Sequence, residues 1–285
     1  MQTHLKQRDV VSEPKTKAPP LSCDSHCHIL GPQSKFPFSP DRSFTPAEAL
    51  SDQYLAMLAT LGVERTVIVQ PSVYGLDNGR TVEAVREIGH HRARGIAMVG
   101  ANVTDAELDR LAQGGIRGMR FITTARGGPS LDQLPDVAAR IAPLGWHIEM
   151  YVPKHEWTAL LPVIDKLPVP VVFDHMGGIP ADGVDDPILE RILTLASEER
   201  AWIKLCGYRN SVAGYPYADV APLAQRIVAR VPDRCVWGTD WPHMSMTAHM
   251  PDGGELLDLL SDWAPDAAVR KKILVDNPAR LYRFD

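Results

Sequence analysis

Two histidines one residue apart close an apolar run in Asp24-Ser25-His26-Cys27-His28. In an extended chain alternate side chains share a face, so both imidazoles project to one side while Cys27 points to the other. Far downstream, Trp237-Gly238-Thr239-Asp240-Trp241-Pro242-His243 ends a second apolar run on a carboxylate, and Phe173-Asp174-His175-Met176-Gly177-Gly178 ends a third on an imidazole. His26, His28, His175 and Asp240 form a set able to bind one divalent metal ion, zinc or manganese, or to polarise a carbonyl directly. A cationic group accompanies it. Arg120 ends a fourth run, Arg126 follows in the next loop and Arg209 lies beyond another, and guanidinium groups grip carboxylates with two parallel hydrogen bonds. Ser72, Tyr74, Asn78 and Tyr151 add hydroxyl and amide donors. The ordinary reading of a solitary histidine is a core or surface residue, and it is kept for His90, His91, His147, His155 and His249.

Such a set works only if distant segments converge, and the pattern of the chain supplies the means. Short β-branched or apolar runs at Ser22–His28, Thr66–Gln70, Ile96–Gly100, Ile116–Phe121, His147–Val152, Pro170–Asp174, Trp202–Cys206 and Cys235–Thr239 alternate with stretches of helical spacing. These include Ala47–Leu61, Thr81–His90, Leu131–Ala142 and Pro187–Glu198. Eight such βα units predict a (β/α)₈ barrel of the TIM type, a single domain over residues 21–285 behind a flexible extension over residues 1–20. Closure would bring the first strand beside the eighth, and Asp240 to the histidines. Catalytic groups of this architecture gather at the carboxyl ends of the strands, where the chemically capable residues stand.

Composition narrows the partners. The 285 residues carry 30 Lys and Arg against 35 Asp and Glu, a formal charge of −5 with no basic run to follow a phosphate backbone, which argues against nucleic acid. The polar, Lys- and Pro-containing start lacks the apolar stretch of a leader or membrane anchor, so the cytoplasm is the expected compartment. Cys23, Cys27, Cys206 and Cys235 sit in or beside apolar runs and read as reduced core residues. The sequence leaves the oligomeric state open.

The motifs above, with Phe36-Pro37-Phe38-Ser39-Pro40, Asp77-Asn78, Arg120-Phe121 and Asn277-Pro278-Ala279-Arg280-Leu281-Tyr282, make the chain resemble the 2-pyrone-4,6-dicarboxylate lactonase-like family of the amidohydrolase superfamily, from about residue 21 to 283. The resemblance implies hydrolytic opening of a small anionic lactone, a pyrone dicarboxylate or a related muconolactone or aldarolactone. Asp240 would be the general base toward water, and His26, His28 and His175 would polarise the carbonyl. Ser72, Arg120, Arg126, Tyr151, Arg209 and His243 would form the substrate-binding set. It also implies either no cofactor or one divalent ion on the His/His/His/Asp set, and Arg120 stands where a second ion would need a bridging Lys or Glu. Glu149, inward by strand parity, fits an extra ligand, a partner for Arg120 or a packing role. Gly178 replaces an arginine of the family pattern and Phe44 a tyrosine, which shifts the expected choice of lactone. The alternatives are a metal-dependent decarboxylase or a lactone isomerase of the same superfamily.

Overall fold

The computed structural model describes residues 5–284. Eight strands occupy β1 Cys23–Cys27, β2 Arg65–Val69, β3 Ala93–Ala97, β4 Ile116–Ile122, β5 His147–Tyr151, β6 Val171–Phe173, β7 Ala201–Leu205 and β8 Cys235–Trp237, parallel and paired in sequence order. Helices α1 Ser51–Leu61, α2 Gly79–Ile88, α3 Asp105–Gln113, α4 Leu134–Ile141, α5 Trp157–Ile164, α6 Pro187–Ser197, α7 Ala221–Arg230 and α8 Gly253–Trp263 lie between and after them, followed by α9 Ala267–Lys271 and α10 Asn277–Tyr282. This is the expected (β/α)₈ barrel. Several helices start on the side chains that satisfy free N–H groups: Thr104 accepts from Glu107 N ahead of α3, and Asp186 from Ile188 N ahead of α6 with Pro187 at the first helical position.

Closure between the last strand and the first is made mostly beyond β8. The Asp240 amide donates to His26 O at 2.8 Å and the His28 amide to Trp241 O at 2.8 Å, while Cys27 and Trp241 form a parallel bridge. Asp24 stitches the same seam: it accepts from the Thr239 amide at 2.9 Å, the Thr239 hydroxyl at 2.6 Å, the Tyr54 hydroxyl at 2.9 Å and the His26 amide at 3.1 Å. Gly238 makes the contact possible, since a Cβ there would lie 2.6 Å from His26 Cβ and 2.8 Å from His26 N.

Alternation along the strands sorts the core into two zones. Cys27, Ile68, Ala97, Met119, Ile148, Phe173, Ile203 and Leu205 face the helices in one large apolar cluster. Cys23, Val67, Val69 and Ile96 face the barrel axis, where Tyr282 from α10 and Phe284 plug the lower end.

Element boundaries moved where polar residues sit inside strands. β3 begins at Ala93 and ends at Ala97, three residues earlier than Ile96–Gly100, because Ala93-Arg94-Gly95 lacks the apolar content of a strand. Its Arg94 nevertheless lies buried at the barrel base, donating to the His90 and Arg283 carbonyls and stacking 4.6 Å over the Phe284 ring. β6 and β8 stop short of Asp174 and Thr239, where the chain turns out of the sheet. Residues 5–20 carry no helix or strand, yet they are tied to the body: Leu5 N donates to Met246 O at 2.8 Å, Arg8 Nε to Met250 O at 2.9 Å and the Ser12 hydroxyl to Asp252 at 2.7 Å.

Candidate active site

At the carboxyl end of the barrel lies a cavity of about 240 Å³ lined by His28, Ser43, Phe44, Ser72, Arg120, Ile122, Thr124, Ala125, Tyr151, His175, Arg209, Asp240, Met244 and Ser245. His26 lies just beneath its floor, fully buried, with its ring centroid 5.0 Å from that of His28 and 5.1 Å from that of His175. Asp240 Oδ1 is 3.3 Å from His28 Nε2 and 3.6 Å from His26 Nε2, so the two ends of the chain do meet.

Each group reaches this point by its own local device. His26 and His28 leave β1 on the same face. Asp240 is held at φ 62, in the left-handed region, by the amide it gives to His26 O. His175 follows β6 in a left-handed run, His175 at φ 49, Met176 at φ 51 and Gly177 at φ 69. Non-glycine residues in that region cost roughly 1–2 kcal/mol each. Asn210 offsets the cost by donating from one amide nitrogen to His175 O and Ile179 O, both at 2.7 Å, and Trp157 Nε1 donates to Gly177 O at 2.6 Å.

The electrostatics assign states. Asp240 Oδ2 accepts from the Tyr208 hydroxyl at 2.6 Å and from Arg209 Nε at 2.5 Å, leaving Oδ1 to face the imidazoles. Burial pushes its carboxyl upward, but Arg209 and the neighbouring histidines outweigh that and hold it well below the usual range. It is a carboxylate. Burial drives His26 to about 3 and His175 to about 4, and lowers His28 as well, so all three rings are neutral near pH 7. His28 Nδ1 lies 2.7 Å from Val69 O, a carbonyl that can only accept, so its proton is on Nδ1 and Nε2 turns a lone pair toward the site.

Beneath the floor runs a buried ionic network of which the sequence marks Glu149 and Arg120 but not Lys204, and Glu149 pairs with Lys204 rather than with Arg120. Lys204 on β7 has its Nζ 2.8 Å from Glu149 Oε2, 2.9 Å from Asp174 Oδ1 and 3.1 Å from His26 Nδ1. Arg120 Nε stands 3.4 Å from Asp174 Oδ2, and its Nη1 donates to Gln70 O at 3.2 Å. Tyr282 donates to Glu149 Oε1 at 3.2 Å. The ligand atoms of His26, His28 and Asp240 lie within 4.8 Å of one another, as do those of His26, Asp174 and His175 and those of His175, Cys206 and Asp240, so each group has the spacing a metal ion requires.

The amidohydrolase family profile matches residues 23–284. This chain is an amidohydrolase of that family. It is 41% identical over 284 residues to a 2-pyrone-4,6-dicarboxylate hydrolase of Comamonas testosteroni, covering 95% of this chain and 93% of that protein. To a 4-sulfomuconolactone hydrolase of Rhizobium radiobacter it is 38% identical, covering 94% of each. Among solved structures, a probable 2-pyrone-4,6-dicarboxylic acid hydrolase of Acinetobacter baumannii with citric acid bound superposes with a TM-score of 0.81 at 26% identity, covering 93% of this chain and all of that one.

In this amidohydrolase the expected site residues divide. His28, His175, Asp240, Ser72, Arg120, Tyr151 and Arg209 line the cavity, and the Tyr151 ring packs edge-on against His175 at 4.5 Å. Arg126 is exposed and outside the lining, although its neighbours Thr124 and Ala125 belong to it. His243 is buried behind the wall against Tyr208, at 5.5 Å between centroids. Tyr74 accepts from the Gly31 amide, and Asn78 bonds Met98 O, Met98 N and Leu76 O, so both fix loops. Phe44 lines the cavity and Gly178, at φ 65, does not. Glu149 serves Lys204 below the floor, out of reach of the cavity. The signal that could have found Lys204 was its inward parity on β7, shared with Trp202.

Proposed function

We propose that this amidohydrolase opens the ring of a small anionic lactone by hydrolysis, the class to which its pyrone dicarboxylate and sulfomuconolactone relatives belong by name. The observation that carries the reading is an ionised Asp240, anchored through Oδ2 by Tyr208 and Arg209, whose Oδ1 is left free at the floor of a cavity rimmed by Arg120, Arg209, Ser72 and Tyr151. Asp240 Oδ1 takes a proton from water as the water oxygen bonds to the lactone carbonyl carbon, and the carbonyl π electrons move onto its oxygen. His26 and the walls of the cavity stabilise that oxyanion. Collapse breaks the bond from the carbonyl carbon to the ring oxygen, which recovers the proton held by Asp240, and the new carboxylic acid gives water's remaining proton to solvent to become a carboxylate. With its own proton committed to Val69 O, His28 offers Nε2 as an acceptor and orients the attacking water. The substrate's anionic groups meet Arg120 and Arg209.

The charges around the floor favour this chemistry without a metal ion. Lys204, Arg120 and Arg209 already pair with Glu149, Asp174 and Asp240, so a divalent ion would add charge beside carboxylates that each have a cation. Lys204 against His26 Nδ1 also disfavours His26 as a ligand through Nε2. Residues 1–20 are proposed as an appendage to the barrel domain of residues 21–285. Among the described residues no helix is long and apolar enough to cross a membrane.

Incubation with 2-pyrone-4,6-dicarboxylate and with 4-sulfomuconolactone in ¹⁸O-labelled water tests the reading. One solvent oxygen in the new carboxylate is expected. Released CO₂, or a rearranged lactone without solvent oxygen, would replace hydrolysis by decarboxylation or isomerisation.

A further inference from the structure

Lys204 is fully buried, and its ammonium has two carboxylates within 2.9 Å, which hold it charged: burial lowers its proton affinity, but Asp174 and Glu149 raise it further. An ammonium has donors and no lone pair. The ring atom it meets at 3.1 Å, His26 Nδ1, must therefore accept, and the single proton of the neutral ring then resides on Nε2, the atom that faces Asp240 Oδ1 and the cavity floor. Without the ammonium, Asp174 Oδ1, 3.5 Å from the same Nδ1, would draw the proton to that side. The ring would then present a lone pair upward and could no longer donate.

We propose that Lys204 is a positioning residue that fixes His26 as the Nε2–H tautomer, so that the two β1 histidines divide the work, His26 donating and His28 accepting. Glu149 belongs to the same device because it fixes where the ammonium stands. The inference rests on the assignment of His26 as the carbonyl-polarising donor in the reading above, while its central claim about the proton is separable from activity.

Two measurements test it. ¹⁵N NMR of the wild-type protein with labelled histidine, assigned by difference against His26→Gln, reads the tautomer directly and needs no variant of Lys204. A protonated Nε2 and unprotonated Nδ1 are expected, and the reverse overturns the proposal whatever the enzyme turns over. The second is a double-mutant cycle with 2-pyrone-4,6-dicarboxylate. Lys204→Met should lower kcat about 10²-fold, the usual consequence of losing one oxyanion donor, with KM changed less than about threefold. In a His26→Gln background, whose side-chain amide nitrogen donates regardless of Lys204, the same change should cost less than about threefold. Equal losses in both backgrounds make Lys204 merely structural and end the proposal. If the tautomer is as stated but His26→Ala turns over normally, the fault lies in the catalytic role given to His26.

Discussion

Replacing Asp240 by asparagine tests the proposed base apart from the scaffold, because the structure dictates how the amide must lie. Two donors, the Tyr208 hydroxyl at 2.6 Å and Arg209 Nε at 2.5 Å, converge on Oδ2, so the amide carbonyl takes that position and the NH₂ takes the place of Oδ1. There it meets His28 Nε2, an acceptor, 3.3 Å away in the wild type. The variant keeps its contacts to Tyr208, Arg209 and His28, gives up the acceptor that His26 Nε2 faces at 3.6 Å, and loses the ability to take a proton. Loss of a positioned base costs about 10²–10⁴-fold in kcat, or about 3–5 kcal/mol of barrier at 1.36 kcal/mol per decade. Arg209 retains an acceptor and gives up only charge assistance, about 1 kcal/mol, which is about 2–4 °C in Tm for a domain of this size. Initial rates of pyrone absorbance loss, beside thermal unfolding, measure both. A fall in kcat of less than tenfold with Tm held would refute Asp240 as the base, however well the fold agrees.

Stability should fall on acidification from pH 6.5 toward 4: His175 and His243 titrate at about 4 and His26 at about 3 when folded against 6.5 when unfolded, so the unfolded chain takes up protons first and their contribution is lost through that window. Asp24, pushed by burial from 3.8 to about 6, works in the opposite sense, its contribution present below 3.8 and lost above 6, and a Tm that rises on acidification would mean that it prevails over the three rings. Asn210→Ala removes the amide that holds the left-handed turn at His175 O and Ile179 O; kcat on 2-pyrone-4,6-dicarboxylate should drop at least tenfold and unfolding free energy by about 1–3 kcal/mol, and unchanged rates would show that the turn holds itself. Prolonged chelation followed by gel filtration should leave the rate within about twofold, as the balanced charges beneath the floor imply; loss of activity that zinc or manganese restores would reverse that conclusion.

Strand parity and ring closure were enough to read the upper half of the site from the sequence. His26 and His28 share a face because β1 is extended, and Asp240 joins them because the barrel closes, and both follow from period and strand count alone. His175 came out at the right place for an incomplete reason, since its direction is set by a left-handed turn at φ 49 that nothing in Asp-His-Met-Gly-Gly announces except its glycines. Arg94 and Lys204 show what the pattern hides. A cation inside a strand breaks apolar alternation, so one displaced the predicted bounds of β3 and the other passed unremarked between Ile203 and Leu205. Parity says which way such a residue points, but not at what height along the axis it meets a partner. That height depends on register: Arg120 is paired in the sheet with Glu149 and Glu149 with Val172, yet Lys204 reaches Glu149 and Arg120 turns toward Asp174 at the end of β6. The consequence is physical. Lys204 serves both carboxylates below the floor while Asp174 is shared with Arg120, so removing Lys204 leaves Glu149 buried without a cation, a change that typically costs about 3–5 kcal/mol. The groups that set the proton on His26 are therefore also groups the barrel needs in order to stay closed.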